Sequence, residues 1–214
     1  ECLEALRATV GEEVDLIVEC HGRYPPEWAL RLAKEAERFR PLFLEDPVRH
    51  ENPQALRTLR QHTSIPIATG ERAHSKWDFR ELVVNGYVDY LRPDVNHCGG
   101  ISEMKKIAAF AEVYYVSLIP HNTQGPLGMA ACLHVAFSTD NVVLVEAGFV
   151  NSDHPTNPFA NPWPAVEKGF ALPPTGPGLG ITFDEAAARA APYTPPRTPY
   201  PPQLRGPDGS VRDW

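Results

Sequence analysis

Three glutamates, each at the end of a short apolar run, first suggest chemistry by their type and spacing: Glu19, Glu45 and Glu71. If these runs are neighbouring strands, the three carboxylates meet at one edge, where their like charges repel unless a divalent cation neutralises them. Ligation by oxygen alone, without histidine or cysteine, favours Mg²⁺ over zinc. A single carboxylate at a strand end can instead cap a helix or pair with arginine. The hypothesis of a magnesium site therefore depends on all three.

The next two apolar runs end in Asp94 and His121. A carboxylate behind an imidazole fixes the tautomer of the ring and raises its basicity, as a general base requires. If the three strands follow one another in the sheet, Asp94 lies on the strand between those of Glu71 and His121. A lone histidine after a proline is more often structural. The prediction of a general base therefore depends on the pairing with Asp94.

His21 lies two residues after Glu19. In an extended strand end this spacing places both side chains on the same side. We therefore predict that His21 faces the site opposite His121 and acts there as a proton donor; a histidine in an ordinary loop is the alternative. For the other six histidines we predict surface or packing positions, and these are His50, His62, His74, His97, His134 and His154.

The last apolar run ends in Glu146, whose carboxyl group could donate a hydrogen bond to an oxygen that gains charge in a reaction. Packing against an arginine is the alternative for this residue. Arg72, directly after Glu71, is predicted to balance the acidic charge, with a contact to a substrate carboxylate as the second interpretation.

The segments that must position these residues alternate between two patterns. Six short apolar, β-branched runs have the composition of buried parallel strands, and they span 15–19, 41–45, 65–71, 89–94, 116–121 and 142–146. Amphipathic patterns predict helices over 2–10, 29–39, 53–61, 76–85, 101–111, 126–138 and 184–191. This alternation is typical of βαβ units and a parallel sheet.

All six runs end in an ionisable residue at nearly even intervals. In a (β/α)-barrel the carboxyl ends of all strands open onto one face, the mouth, whereas an open sheet would spread these residues along an edge. We therefore predict an α/β protein with a (β/α)-barrel of the TIM type, with the site at its mouth.

The domain organisation follows from the number of units. Six units are two fewer than a barrel needs, and the chain begins without Met inside a helical pattern. We therefore expect the first barrel strands to lie upstream. The predicted barrel domain covers residues 1–191, and a proline-rich arm over 192–214 is expected to wrap a surface and dock through Trp214.

Composition excludes some classes of function. The net charge of −7 argues against a nucleic-acid surface, and no apolar run approaches the length of a membrane helix. The four cysteines show no CxxC pair, which argues against a disulfide framework or a structural zinc site. We expect all four to be buried free thiols and the protein to be cytoplasmic.

Several motifs together resemble the mandelate racemase/muconate lactonizing branch of the enolase superfamily, with the greatest similarity to its galactonate dehydratase type. The similarity covers nearly the whole chain. The motifs are Val18-Glu19-Cys20-His21-Gly22-Arg23, Phe43-Leu44-Glu45-Asp46-Pro47, Ala68-Thr69-Gly70-Glu71-Arg72, Arg92-Pro93-Asp94, His97-Cys98-Gly99-Gly100-Ile101, Pro120-His121-Asn122 and Asp208-Gly209-Ser210-Val211-Arg212-Asp213-Trp214.

The resemblance implies a role for each candidate residue. It implies Mg²⁺ ligands at Glu19, Glu45 and Glu71, and a base formed by His121 with Asp94. It also implies His21 as general acid, Glu146 as electrophilic partner, an N-terminal capping domain and a homo-oligomer. One residue departs from the family pattern, since the first metal ligand is normally Asp and this chain has Glu19. Mg²⁺ tolerates little distortion of its octahedron, so metal affinity depends on how the extra methylene is accommodated.

These residues lead to one reaction hypothesis and two rivals. A lyase (an acid-sugar dehydratase) would use His121 to remove the proton beside the carboxylate of an aldonate or aldarate, and His21 to protonate the departing 3-hydroxyl. The product would be a 2-keto-3-deoxy acid. A racemase or epimerase would use the same enediolate with reprotonation from the other face. A non-catalytic barrel scaffold is the rival from another class, and Glu19 is its only support.

Overall fold

The computed structural model describes residues 1–123, 125–147 and 159–192. Its centre is a five-stranded parallel sheet in the order β1-β2-β3-β4-β5, with helices in the connections between strands. The strands are β1 (Ile17–Glu19), β2 (Phe43–Glu45), β3 (Ile67–Thr69), β4 (Tyr90–Leu91) and β5 (Ser117–Leu118). The helices are α1 (Cys2–Val10), α2 (Pro26–Ala36), α3 (Ala55–His62), α4 (Lys76–Val84), α5 (Gly100–Glu112) and α6 (Pro126–Ala136).

Apolar periodicity marks the buried faces of the helices α2 and α5. In α5 the buried residues are Met104, Ile107, Ala108 and Ala111, the face that the sequence pattern predicts. Helix α4 begins at a capping box, in which the Ser75 and Asp78 side chains satisfy each other's backbone N–H groups. The observed bounds agree with the predicted helices to within a few residues. The α/β class and the parallel order of the strands are confirmed.

Strands β2 and β3 are buried on both faces, as is typical of strands inside a parallel sheet, whereas the edge strand β1 is partly exposed. Leu44 and Ile67 point to the helices, and both are fully buried. On the opposite face, Phe43 and Ala68 pack with Ile119 in a separate cluster, which is the interior of the barrel wall. Alternation along each strand therefore separates a helix-facing layer from an inner layer, and the inner layer underlies the candidate site.

Two sequence expectations about the strands are wrong in detail. Residues 142–146 are not a full strand; only Val142 bridges Leu118, and the Val143 N–H donates to the Leu118 carbonyl at 3.0 Å. The fourth and fifth strands also stop before Asp94 and His121. A proline precedes each of these residues and has no N–H for the ladder, and beyond the two strands an isolated parallel bridge joins Asp94 and His121.

Residues beyond position 158 form smaller elements. Two short antiparallel pairs, β6 (Ala160–Asn161) with β9 (Thr182–Phe183) and β7 (Val166–Glu167) with β8 (Phe170–Ala171), precede α7 (Glu185–Ala190). Helix α7 matches the predicted short helix. The proposed arm and the predicted docking of Trp214 lie outside the described residues, apart from Pro192.

The cysteines agree with the sequence expectation except at the amino terminus. Cys20, Cys98 and Cys132 are buried and free, but Cys2 is exposed. The expectation is wrong for Cys2 because α1 contributes no buried residue to the core. In the part of the chain that the structure describes, no helix is long and apolar enough to cross a membrane.

Candidate active site

The three glutamates converge where the first three strands end. Glu19 and Glu45 are direct partners in the parallel register of β1 and β2, and Glu71 follows β3 by two residues. One carboxylate oxygen from each lies within 4.8 Å of the others. Ligands on opposite sides of one hard cation are about 4 to 5 Å apart. The donor set, all carboxylate oxygen, and its spacing therefore fit a divalent cation.

The electrostatics of this cluster also fit a cation. The pKa of Glu19 is raised from 4.5 to about 8, mainly by desolvation and secondly by the negative charge of Glu45. A hydrogen bond from the His21 N–H lowers this pKa but does not outweigh the other two effects. Desolvation also raises the pKa of Glu45, although the neighbouring Arg92 opposes it. A divalent cation would stabilise the charged form of these carboxylates, because it supplies the opposite charge that the protein alone provides only in part.

Glu71 is held at the centre of the site by the glycine before it. Gly70 has φ +133°, and a Cβ there would lie 2.5 Å from Cε1 of Phe79, so a side chain does not fit. The backbone therefore turns sharply after β3 and presents the Glu71 carboxylate between two imidazoles. His21 Nε2 is 3.4 Å from Oε1, and His121 Nε2 is 3.5 Å from Oε2.

His121 and Asp94 form the predicted carboxylate–imidazole pair. Nδ1 of His121 lies 2.7 Å from Oδ2 of Asp94, and Asp94 is fully buried. Burial opposes the charged ring, but the hydrogen bond to Asp94 and the charge of Glu71 outweigh it and raise the pKa of His121. The Asp94 contact requires a proton on Nδ1, so the neutral ring keeps a free lone pair on Nε2, which is the atom that faces Glu71.

His21 reaches the site by a different route from the one expected. The sequence interpretation places it on an extended strand end, and this is wrong, because its φ is +51° and the ladder ends with the Cys20 N–H on the Glu45 carbonyl. The Gly22 N–H then donates to the Asp46 carbonyl at 2.8 Å and completes a turn. The turn, and not strand alternation, directs the His21 ring towards Glu71.

Arg92 is a site residue that sequence reasoning missed. Its side chain is 6% exposed, and Nε donates to Glu45 at 2.5 Å while Nη2 donates to Glu146 at 2.9 Å. Glu146 therefore packs against an arginine, one of its two expected alternatives, and it also accepts the Asn122 N–H at 3.1 Å. An arginine inside a buried apolar run was the available signal, because such a residue needs acidic partners.

His97 is the second missed residue. It is exposed, but its ring lies beside that of His121, with centroids 6.4 Å apart, and its Nδ1 is 3.2 Å from the Glu71 carbonyl oxygen. The prediction of a surface or packing position is therefore incomplete. Arg72 lies on the other side of Glu71, with its Nε 3.6 Å from Oε1.

The arrangement can bind a cation and move protons. Three carboxylates form the cation cluster, and an imidazole Nε2 lies on each side of the Glu71 carboxylate, at 3.4 Å for His21 and 3.5 Å for His121. Only one of the two rings has a buried carboxylate behind it. This asymmetry suits a general base at His121 and a general acid at His21.

Comparison with known proteins identifies relatives of this chain. The chain is 40% identical over 222 residues to a D-galactonate dehydratase of Ralstonia pickettii, which covers 98% of the chain and 56% of that protein. It is 38% identical to a D-galactonate dehydratase family member of Streptomyces bingchenggensis, covering 99% of the chain and 51% of the relative. The chain thus spans about half the length of the curated relatives that it matches.

A solved structure and a family model also match this chain. The fold matches that of a mandelate racemase/muconate lactonizing enzyme from Jannaschia sp. CCS1 with a TM-score of 0.83 and 39% identity, over 91% of this chain and 50% of that one. The model of the family described as Enolase C-terminal domain-like matches residues 1–187. The chain therefore belongs to the enolase C-terminal domain-like family and is the (β/α)-barrel part of that architecture.

Proposed function

We propose that this barrel is the catalytic domain of a Mg²⁺-dependent acid-sugar dehydratase, a lyase acting on an aldonate or aldarate. One observation carries the proposal: two imidazole Nε2 atoms flank the Glu71 carboxylate of a three-glutamate cluster, at 3.4 and 3.5 Å. A substrate carboxylate bound at this cluster would lie between the two imidazoles. Elimination next to that carboxylate needs a base on one side of the substrate and an acid on the other. The names of the relatives support this choice of substrate class.

His121 begins the proposed reaction. Its Nε2 lone pair takes the proton from C2 of the substrate, and the C–H electrons move towards the carboxylate to form an enediolate. Asp94 holds the Nδ1 proton at 2.7 Å, so the ring accepts its new proton only at Nε2 and the resulting imidazolium is stabilised. A Mg²⁺ ion held by Glu19, Glu45 and Glu71 would supply Lewis-acid stabilisation of the developing negative charge.

Glu146 and Arg92 form the other wall of the proposed pocket. Glu146 is half-buried and hydrogen-bonded to the Arg92 guanidinium and the Asn122 N–H. Both contacts are to Oε2, which leaves Oε1 for a contact with a substrate oxygen. We assign it the electrophilic role, in which a protonated Glu146 carboxyl would donate its O–H to an enediolate oxygen.

His21 completes the elimination. The carboxylate C=O re-forms at C1, and the C1=C2 electrons of the enediolate form a new C2=C3 double bond as the C3–O bond breaks. His21 gives its proton to the departing hydroxyl, so that water leaves. The enol that remains becomes a 2-keto-3-deoxy acid. The position of His21 beside Glu71, across from His121, is the basis for this assignment.

The first test is a substrate screen of the enzyme in its complete form. With Mg²⁺ in D₂O, it should convert one or a few members of a panel of aldonates and aldarates to a keto acid, with D-galactonate tested first. Keto-acid formation is followed colorimetrically and deuterium at C2 by NMR. Absence of both signals across the panel would contradict the proposed function.

His21→Asn should separate the two halves of the reaction. The variant keeps His121 and the glutamate cluster, so deuterium should still enter at C2, but keto-acid formation should fall about 10²-fold or more, the usual contribution of a general acid. His62→Asn, on the exposed end of α3, is the matched control and should behave like the unaltered enzyme. Loss of deuterium exchange together with elimination would remove His21 from the role of general acid.

Racemisation or epimerisation is the second candidate, because imidazoles on both sides of Glu71 also suit reprotonation from the opposite face. Deuterium uptake with inversion at C2 and no keto acid would select it. The intact Asp94–His121 pair disfavours a non-catalytic scaffold. Assembly into a homo-oligomer and the upstream strands and capping domain stay predictions.

A further inference from the structure

We infer that His97 is a specificity-determining residue that accepts a hydrogen bond from a substrate hydroxyl beyond C3. This inference rests on the proposed function, because it needs a polyhydroxy acid at the glutamate cluster. It concerns a residue that the reaction itself does not use, and it follows from how the His97 ring is bonded and where it lies.

The backbone places His97 firmly relative to the proposed base. The N–H groups of His97 and Cys98 both donate to the Asp94 carbonyl, at 3.0 and 2.8 Å. Asn96 donates to the Asp94 carboxylate from both its N–H and its amide, and Cys98 is fully buried. The turn that carries His97 is therefore tied to the aspartate that orients His121, and the two rings keep a constant relation.

One of the two ring nitrogens of His97 already has a hydrogen-bond partner. Nδ1 lies 3.2 Å from the carbonyl oxygen of Glu71, and a carbonyl oxygen can only accept a hydrogen bond, so Nδ1 carries the proton. In the neutral ring Nε2 is then an acceptor. Among the described residues no hydrogen-bond partner lies on Nε2, and the side chain is exposed. The ring therefore offers one acceptor of fixed orientation.

The His97 ring also lies closer to the solvent than the proposed base and Glu71. His121 and Glu71 have side chains only 13% and 10% exposed, whereas His97 lies beside both and is exposed. A substrate whose carboxylate meets the glutamate cluster and whose C2 meets His121 must extend its remaining carbons outward, away from the barrel floor. His97 is positioned along that outward path, where a polyhydroxy chain presents hydroxyl donors.

Two substitutions of His97 distinguish a role in substrate binding from a role in holding the Glu71 backbone. Asparagine places its amide near the position of Nδ1, so His97→Asn keeps a donor for the Glu71 carbonyl and loses the outer acceptor. Glutamine places its amide near the position of Nε2, so His97→Gln keeps an outer acceptor and loses the inner donor. A role in substrate binding and a purely structural role therefore predict opposite rankings of the two variants.

The experiment measures dissociation constants by titration calorimetry, with Mg²⁺, for D-galactonate and for D-glycerate, which has no hydroxyl beyond C3. All variants carry His121→Asn as well, so that the bound acid is not converted during the titration. For D-galactonate, His97→Asn should raise the dissociation constant about tenfold, the effect of one lost hydrogen bond, and His97→Gln by only about threefold or less. D-Glycerate should bind all variants alike. His62→Gln is the matched control, since its Nδ1 also contacts a backbone carbonyl but at the far end of α3.

Other outcomes have distinct meanings. Equal weakening of both acids, or a loss confined to His97→Gln, would show a structural role and overturn the inference, as would unchanged binding of D-galactonate in both variants. Binding of D-galactonate without a keto acid from any member of the aldonate and aldarate panel would overturn the proposed function and leave the ranking of the variants as the test of His97. An enzyme that binds neither acid and converts no member of the panel would overturn both proposals.

Discussion

Replacing His121 by asparagine is expected to abolish deuterium exchange at C2 and keto-acid formation together. Asparagine can keep a hydrogen bond to Asp94 but has no basic nitrogen, so on this side of the substrate the proposed mechanism has no group left to accept the C2 proton. The expected loss is about 10³-fold or more, towards the upper end of what general bases contribute. Both signals are measured in the same D₂O assay as for the unaltered enzyme. Full exchange in this variant would place the base elsewhere.

The pH dependence of exchange tests the partner of His121. The base must be neutral to accept a proton, so exchange should rise with pH through the pKa of His121, which lies above its ordinary value of 6.5. Asp94→Asn removes the carboxylate that contributes most to raising this pKa. The rise should therefore move to lower pH, and the plateau should fall because the imidazolium is less stabilised. An unmoved profile with an unchanged plateau would contradict the pairing.

Addition of Mg²⁺ to metal-free protein is expected to raise its unfolding temperature, and more at pH 8.5 than at pH 5. A ligand that binds only the folded state stabilises it by about 2.7 kcal/mol at one hundred times its dissociation constant. The cluster of Glu19, Glu45 and Glu71 is the expected site. At pH 5 the cation must displace a proton from Glu19, because the pKa of this residue is about 8, and binding is correspondingly weaker.

In the metal-free protein, the contribution of Glu19 to stability changes with pH in the opposite direction. The pKa of Glu19 is raised from 4.5 when the chain folds, so between about pH 4.5 and 8 the folded state holds a proton that the unfolded state has lost. The contribution of this group to stability therefore decreases as pH rises across that window. Thermal melts at several pH values, with and without Mg²⁺, separate the two effects.

Glu19→Gln supplies the control for this prediction. Glutamine cannot titrate, so the decrease of metal-free stability over this pH window should become smaller, and the stabilisation by Mg²⁺ should also decrease. Glu12→Gln, on the exposed surface, should change neither. If Mg²⁺ does not shift the melting temperature of the unaltered protein at either pH, the assignment of a cation to the cluster is wrong.

The order of the strands and the identity of the converging carboxylates could be predicted from the sequence. Residues buried on both faces of a parallel sheet are mostly apolar, and the ionisable residue at the end of each run then marks the end that opens on the site. Glu19, Glu45 and Glu71 follow from this rule. The pairing of Asp94 with His121 follows from strand order, because adjacent parallel strands place their ends side by side.

The contacts of the remaining groups depended on the tertiary structure. Proline at 93 and 120 ended two strands early, and a left-handed residue at position 21 directed a ring that strand alternation would have directed differently. The partners of Arg92 and the position of His97 beside His121 join segments far apart in the sequence. Periodicity specifies which face a residue occupies, but the distance between two side chains depends on backbone turns and rotamers that only the packed barrel selects.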